Sequence, residues 1–161
     1  GCLFEGGIRI PSIVSMPGTI PQGQVRDQMA IGCDWFPTIA AYCGAKLPGR
    51  QYDGKSLTDV IASGDAESPP DHLFWLLGNP KNGQWAVRQG PWKLLGNARD
   101  RGIPKNAPQV DKLFLANLDL NKGEAKNLKS QHPEVVAKLQ AIRDKHVADI
   151  VRDNDSRPKA K

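Results

Sequence analysis

Leu73-Phe74-Trp75-Leu76-Leu77, Trp85-Ala86-Val87-Arg88 and Trp92-Lys93-Leu94-Leu95 form the stretch whose reading decides the fold. Each run is aromatic and aliphatic, and the hydrophobic period is two, which suits a strand rather than a helix. Between them lies loop chemistry: Gly78-Asn79-Pro80-Lys81-Asn82-Gly83 first, then Gly90-Pro91, which leaves room only for a tight turn. Short links between consecutive strands make an antiparallel meander. A fourth strand is expected over 113–118. The polar loop before it, from Asn97 to Asp111, is longer than packing requires, and such loops are often functional.

Downstream, Pro133 suits the first helical position and Glu134 the positive first turn of a helix running to about residue 152. Val136, Leu139, Ile142, His146 and Ile150 make one stripe on it, expected to lie on the meander. Residues 153–161 read as a charged tail. Upstream, residues 8–16 read as an extended segment, which Pro11 confines to a sheet edge. Asp34 reads as the N-cap of a helix carrying Phe36, Ile39, Ala40 and Cys43 at helical spacing, with Gly44 as its stop. Ser56 is expected to cap a short helix through Ile61. Pro69-Pro70 marks residues 63–70 as an exposed connector. The fold class is α+β: an edge strand and helix within 1–62, then a four-stranded antiparallel sheet with one long packed helix over 71–152.

The chain has 161 residues, enough for a core without staples. No apolar run approaches the ~18 residues of a membrane span, so no membrane partner is expected. Gly1-Cys2-Leu3-Phe4-Glu5 has neither the basic start nor the apolar stretch of a signal peptide, which says little of a chain that does not begin with Met. Cys2, Cys33 and Cys43 leave two readings open: one bridge with a spare thiol, or three buried thiols. The net charge of +5 divides unevenly, −3 over residues 1–80 and +8 over 81–161. A basic half fits either a solvated surface or a free-standing module that binds polyanions. Nucleic acid is not favoured, because no basic run interleaves with stacking aromatics and no RNA- or DNA-binding signature is present.

Catalytic constellations are missing. Gly6-Gly7 lacks the rest of a phosphate loop, and His72, His132 and His146 have no metal-ligand spacing. No serine sits in a G-x-S-x-G elbow. Asp27, Asp34, Asp53 and Asp59 stand singly in turns and caps. Trp75, Trp85 and Trp92 read as core rather than as sugar platforms.

The order of the short motifs is more telling. Leu3-Phe4-Glu5-Gly6-Gly7-Ile8-Arg9-Ile10-Pro11 resembles the E-G-G-x-R-x-P segment of the arylsulfatase family. Pro17-Gly18 follows, then Asp34-Trp35-Phe36-Pro37-Thr38 (D-x-F-P-T) and Asp53-Gly54-Lys55-Ser56-Leu57 (D-G-x-S-L). Trp85-Ala86-Val87-Arg88-Gln89-Gly90-Pro91-Trp92-Lys93-Leu94 is similar to the family's a-V-R-x-G-x-W-K-L. Leu115-Ala116-Asn117-Leu118, Asn121-Lys122-Gly123-Glu124 and Asn127-Leu128 stand where the family has L-Y-D-L, D-P-x-E and N-L, and His132-Pro133-Glu134 completes the set. The departures are Ala116 for Tyr and Asn121-Lys122 for Asp-Pro.

The resemblance implies the C-terminal segment of a formylglycine-dependent sulfatase with an alkaline-phosphatase-like large domain. It implies that 1–62 is a remnant of that domain, 63–70 a connector and 71–152 the C-terminal subdomain. The parent would use formylglycine and calcium, but no cysteine or serine here begins a C/S-x-P-x-R motif, so the segment is expected to hold no cofactor, no metal and no catalytic residue. The implied partners are the missing N-terminal catalytic domain and a sulfated substrate, possibly a glycan. The implied location is periplasmic, secreted or lysosomal. Residues 1–44, deprived of that domain, are expected to drive self-association. Lys81 and Asn82 in the loop 78–83, and Arg99, Arg101 and Lys105 in the loop 97–111, are the candidates for a substrate-cleft rim.

Overall fold

A computed structural model describes residues 2–49, 52–99 and 111–156, with side chains as far as 153. Arg101 and Lys105 lie outside the described residues. The elements are α1 (Glu5–Ile8), a 3-10 turn (Gly32–Asp34), α2 (Trp35–Tyr42), α3 (Thr58–Ala62), β1 (Leu73–Leu77), β2 (Gln84–Gln89), β3 (Trp92–Gly96), β4 (Leu113–Asn117) and α4 (Pro133–Ser156). The chain divides into two compact units, Gly1–Ile10 with His72–Lys161, and Pro11–Asp71.

The sheet unit holds the expected meander, with strands in the order β1-β2-β3-β4 and every neighbouring pair antiparallel. Both faces of its central strands are covered. On one face Trp85, Val87, Leu94 and Leu115 pack with Leu139, and Val135, Val136 and Ile142 of α4 lie against them. On the other, Ala86, Leu95, Phe114 and Ala116 pack with Leu3, Ala98 and Leu118, while Phe4 and Ile8 lean on the same cluster. Burial on both faces explains why Leu94-Leu95 and Phe114-Leu115 read as continuous apolar runs rather than as strict alternation. Each fully buried Leu or Val contributes about 1.5–3 kcal/mol. The helix α4 continues to Ser156, past the expected end at 152, so part of the expected tail is helical.

One sequence expectation is corrected here. Residues 9–16 form no strand: the chain leaves α1 at Arg9 in extended geometry and stays unpaired, with Ile10 and Ile13 exposed. Pro11 offers no donor, and a lone extended segment has no ladder to join. The first ten residues group with the sheet, where Leu3 is buried in the core, and the second division of the chain falls between Asp71 and His72.

The Pro11–Asp71 unit is held by polar pins. Asp34 does not cap α2 through its side chain. Its carboxylate instead accepts the Ile31 amide at 2.8 Å through Oδ2 and the Lys55 amide at 2.8 Å through Oδ1. Thr38 Oγ1 donates to the Asp34 carbonyl at 2.6 Å and accepts the Leu57 amide at 2.8 Å. Gly54 passes so close to the Cys33 carbonyl that a Cβ there would stand 2.1 Å from its oxygen. Glycine is the residue this approach allows. Ser56 Oγ accepts the Thr58 amide at 3.3 Å, but the N-cap of α3 is Leu57, whose side chain makes no cap, so the expected Ser56 cap is displaced by one residue. Arg26 donates to the Val60 carbonyl at 2.7 Å and to Ile61 at 3.4 Å, satisfying the end of α3. Gln28 reaches the Gly64 and Ala66 carbonyls and Met29 the Ser68 hydroxyl, so the expected connector is tied into this unit.

Candidate functional site

In a meander the β1–β2 and β3–β4 links fall at the same end of the sheet, and the structure brings those two loops together. The first is a folded tip: Asn79 Oδ1 accepts the Lys81 amide at 2.8 Å, and the Gly83 amide returns to the Asn79 carbonyl at 2.6 Å. Beside it, Asn97 takes a left-handed conformation (φ 50°) and donates through Nδ2 to the Gly83 carbonyl at 3.3 Å. The Arg99 amide donates to Gln84 Oε1 at 2.9 Å, and Ala98 between them is buried. Lys81, Asn82 and Arg99 therefore stand exposed on a backbone frame that is itself hydrogen-bonded. The frame presents cations and an amide to solvent.

Among the described residues outside this frame, reactive chemistry is sparse. The three cysteines are free, and Cys33 and Cys43 are exposed, so neither the bridge nor the set of buried thiols is formed. Partial burial, with Asp34 and Asp53 nearby, pushes the Cys33 thiol above its ordinary range and away from the thiolate a nucleophile needs. His72 and His146 meet Nε2 to Nε2 at 2.8 Å, with Phe74 stacked on His146, which joins the start of β1 to α4. His132 leans on Trp92 at 4.7 Å. Trp85 is core. Among the described residues no group of three or more His, Cys, Asp or Glu could hold a metal ion.

Sequence reasoning missed one cluster. Lys93, in the middle of β3, is completely buried, and its ammonium lies 2.8 Å from Glu5 Oε1 and 2.9 Å from Glu124 Oε1. The Glu5 amide donates to Glu124 Oε2, and Arg88 approaches Glu5 at 4.0 Å. Glu5 comes from E-G-G, Lys93 from W-K-L, and Glu124 from the segment matching D-P-x-E, so three of the quoted motifs meet at one point. The available signal was the lysine itself, a charge set inside an otherwise apolar strand run.

No protein-family profile matches the chain. Single relatives do. It is 30% identical over 141 residues to a sulfatase of Formosa agariphila, covering 83% of this chain and 25% of that protein. It is 39% identical over 95 residues to arylsulfatase A of Bos taurus, covering 58% of this chain and 18% of that one. The chain belongs to the sulfatase family. Among solved structures, the sulfatase-family segment matches Ps i-CgsB with a TM-score of 0.63 at 20% identity, over 81% of this chain and 27% of that one. It also matches a protein solved with its substrate D-glucosamine-2-N,6-O-disulfate, with a TM-score of 0.53 at 16% identity over 79% and 25%. These likenesses carry the fold alone: an α+β arrangement of a four-stranded antiparallel sheet with a C-terminal helix. The segment spans about a fifth to a quarter of the length of the curated relatives it matches.

Proposed function

We propose that this sulfatase segment is the C-terminal part of a sulfuric ester hydrolase acting on an aryl sulfate or a sulfated glycan, and that it is inactive alone. The observation that carries the reading is the 30% identity to a sulfatase over most of the chain. Hydrolysis of a sulfate ester by this family's route needs an activated nucleophile, a cation polarising the sulfate and cationic groups around the developing charge. The parent's formylglycine and calcium would be supplied by the rest of that protein, in a periplasmic, secreted or lysosomal compartment. No helix among the described residues is long and apolar enough to cross a membrane.

Two roles remain for the segment itself. Pro11–Asp71 completes the large domain, which narrows the expected 1–62 remnant to this unit. Its exposed Ile13, Val25, Phe36 and Ile39 are then the face the parent covers, and the isolated chain self-associates through it. Lys81, Asn82 and Arg99, with Arg101 and Lys105 further along the same loop, rim the cleft and hold anionic groups remote from the scissile sulfate. Binding felt equally in ground and transition states changes KM and leaves kcat.

The purified chain with calcium should not turn over an aryl sulfate; turnover abolished by a chelator would sink the reading. Light scattering at rising concentration should show association, and a monodisperse monomer would remove that part. In the parent, Arg99→Ala/Arg101→Ala/Lys105→Ala should raise KM for a sulfated oligosaccharide and leave a small aryl sulfate unaffected. Equal effects on both would take the loop out of the cleft.

A further inference from the structure

We infer that Lys93, Glu5 and Glu124 form a latch that docks residues 2–9 on the sheet as a discrete, separately releasable element. Lys93 is its positioning residue. The inference does not depend on the hydrolase reading. It starts from the cost of burying an ammonium, which is tolerated only where carboxylates meet it at close range. Lys93 has two, one from 88 residues before it and one from the β4–α4 connection. With Arg88 at the edge, two cations face two anions.

The two carboxylates are held differently. Glu124 sits in the left-handed region (φ 51°), a conformation that costs energy in a non-glycine residue and is imposed by its surroundings. Glu5 sits in a single helical turn, closed by the Gly7 amide on the Phe4 carbonyl at 2.8 Å and the Arg9 amide on the Glu5 carbonyl at 2.9 Å. That turn folds tightly on itself, since a Cβ on Gly7 would stand 2.4 Å from the Cys2 carbonyl oxygen. Its apolar attachment is Leu3, Phe4 and Ile8 against the sheet, with the Phe4 ring 5.7 Å from Phe114, edge to face. Leu94, Leu115, Val87 and Leu139 form the opposite cluster and do not depend on it. The sheet can therefore survive release of the turn, whose remaining attachment is the apolar contact of Leu3, Phe4 and Ile8.

Hydrogen exchange on the 161-residue chain tests this. In Lys93→Met the two carboxylates lose their cation, and the Glu5, Gly7 and Arg9 amides should exchange about 100-fold faster or more. Amides of Ala86, Leu94 and Leu115 should stay within about threefold of wild type. Neutralising all three, in Lys93→Met/Glu5→Gln/Glu124→Gln, should restore most of the protection at 5, 7 and 9, because a buried triad can be replaced by neutral groups more easily than it can be broken. Should Lys93→Met fail to fold, Glu5→Gln alone should show the same selective release at about tenfold. Parallel loosening of sheet and turn, an unchanged turn, or no recovery in the triple variant would each overturn the latch.

Discussion

In the sheet unit, Val87, Leu94, Leu95 and Leu115 have no exposed surface at all, and apolar clusters lie on both faces of the strands. In Pro11–Asp71 the buried apolar side chains among the described residues are Pro37, Leu57, Val60 and Ile61, while Ile13 is 96% and Val25 83% exposed. The first unit is held by area, which is non-directional and large. The second is held by hydrogen bonds from a few polar side chains, each worth little net and expensive to leave unmade. A unit of that second kind keeps its local shape while leaving apolar surface uncovered. That is the condition expected of a piece whose core lies partly in a chain segment outside it.

The sharpest way to break the contrast is to remove area where it dominates. Leu115→Ala empties a wholly buried site between Leu94 and Leu139, and should cost about 2–5 kcal/mol in urea unfolding of the sheet unit. Val25→Ala, at an exposed site in the other unit, should fall within about 0.5 kcal/mol. Comparable losses at the two sites would mean that Val25 is buried in solution, most simply by self-association.

Next comes the pin. Asp34→Ala removes the acceptor for the Ile31 and Lys55 amides at a site 1% exposed, and should cost about 2–3 kcal/mol. The loss should be confined to Pro11–Asp71, read as faster exchange at 31 and 55 with Ala86 and Leu94 unchanged. Loss spread evenly over both units would erase the distinction between them.

These elements also show what the sequence could and could not convey. The meander was legible because Gly90-Pro91 and the 78–83 tip leave short connections only, and the helix because its stripe has the right period. The strand over 8–16 was misread since alternation alone cannot supply a pairing partner. Asp34 looked like a cap from its place before an apolar helix, but its actual partners, the amides of Ile31 and Lys55, include one that is 21 residues away. The latch was illegible for the same reason: its ends are 119 residues apart, and no local pattern encodes that meeting. The neighbourhood of Gly83 and Asn97 follows from meander topology, which alone decides which links share an end of the sheet.

A third test sharpens the sheet side. β4 is an edge strand, and edges need cover. Asn127 supplies it: Oδ1 accepts the Leu115 amide at 3.0 Å and Nδ2 donates to the Leu113 carbonyl at 3.0 Å, while the Leu128 amide takes the Leu115 carbonyl at 2.8 Å. Asn127→Ala should cost about 1–2 kcal/mol, less than Leu115→Ala, and speed exchange at Leu115 more than at Leu94. A loss as large as that of Leu115→Ala would show that the edge, not the core, limits this unit.

The smallest effect lies one bond further out. Asp111 accepts from Lys129 Nζ at 3.1 Å and from Asn127 Nδ2 at 2.8 Å through one oxygen. The hydrogen bond from Lys129, then that from Asn127, hold its carboxyl below the ordinary value of 3.8. A carboxyl whose folded pKa lies below its unfolded one binds fewer protons when folded. Its contribution is therefore present in full above the unfolded pKa, and it fades as pH falls through the folded one. The window thus begins near pH 4 and extends below it, and nothing should change between pH 6 and 8 on account of this group. Asp111 is exposed, so solvent and salt screen its contacts and the effect on global stability should be marginal. The place to see it is local. The Asn127 side-chain amide protons, followed by NMR from pH 6 down to 2.5, should shift with a midpoint below that of an unpaired aspartate, and 0.5 M salt should move the midpoint upward. A midpoint at or above the ordinary aspartate value would mean that Asp111 does not hold Asn127 in solution. The edge cover of β4 would then rest on the backbone contacts of Leu128 and on Asn127 alone.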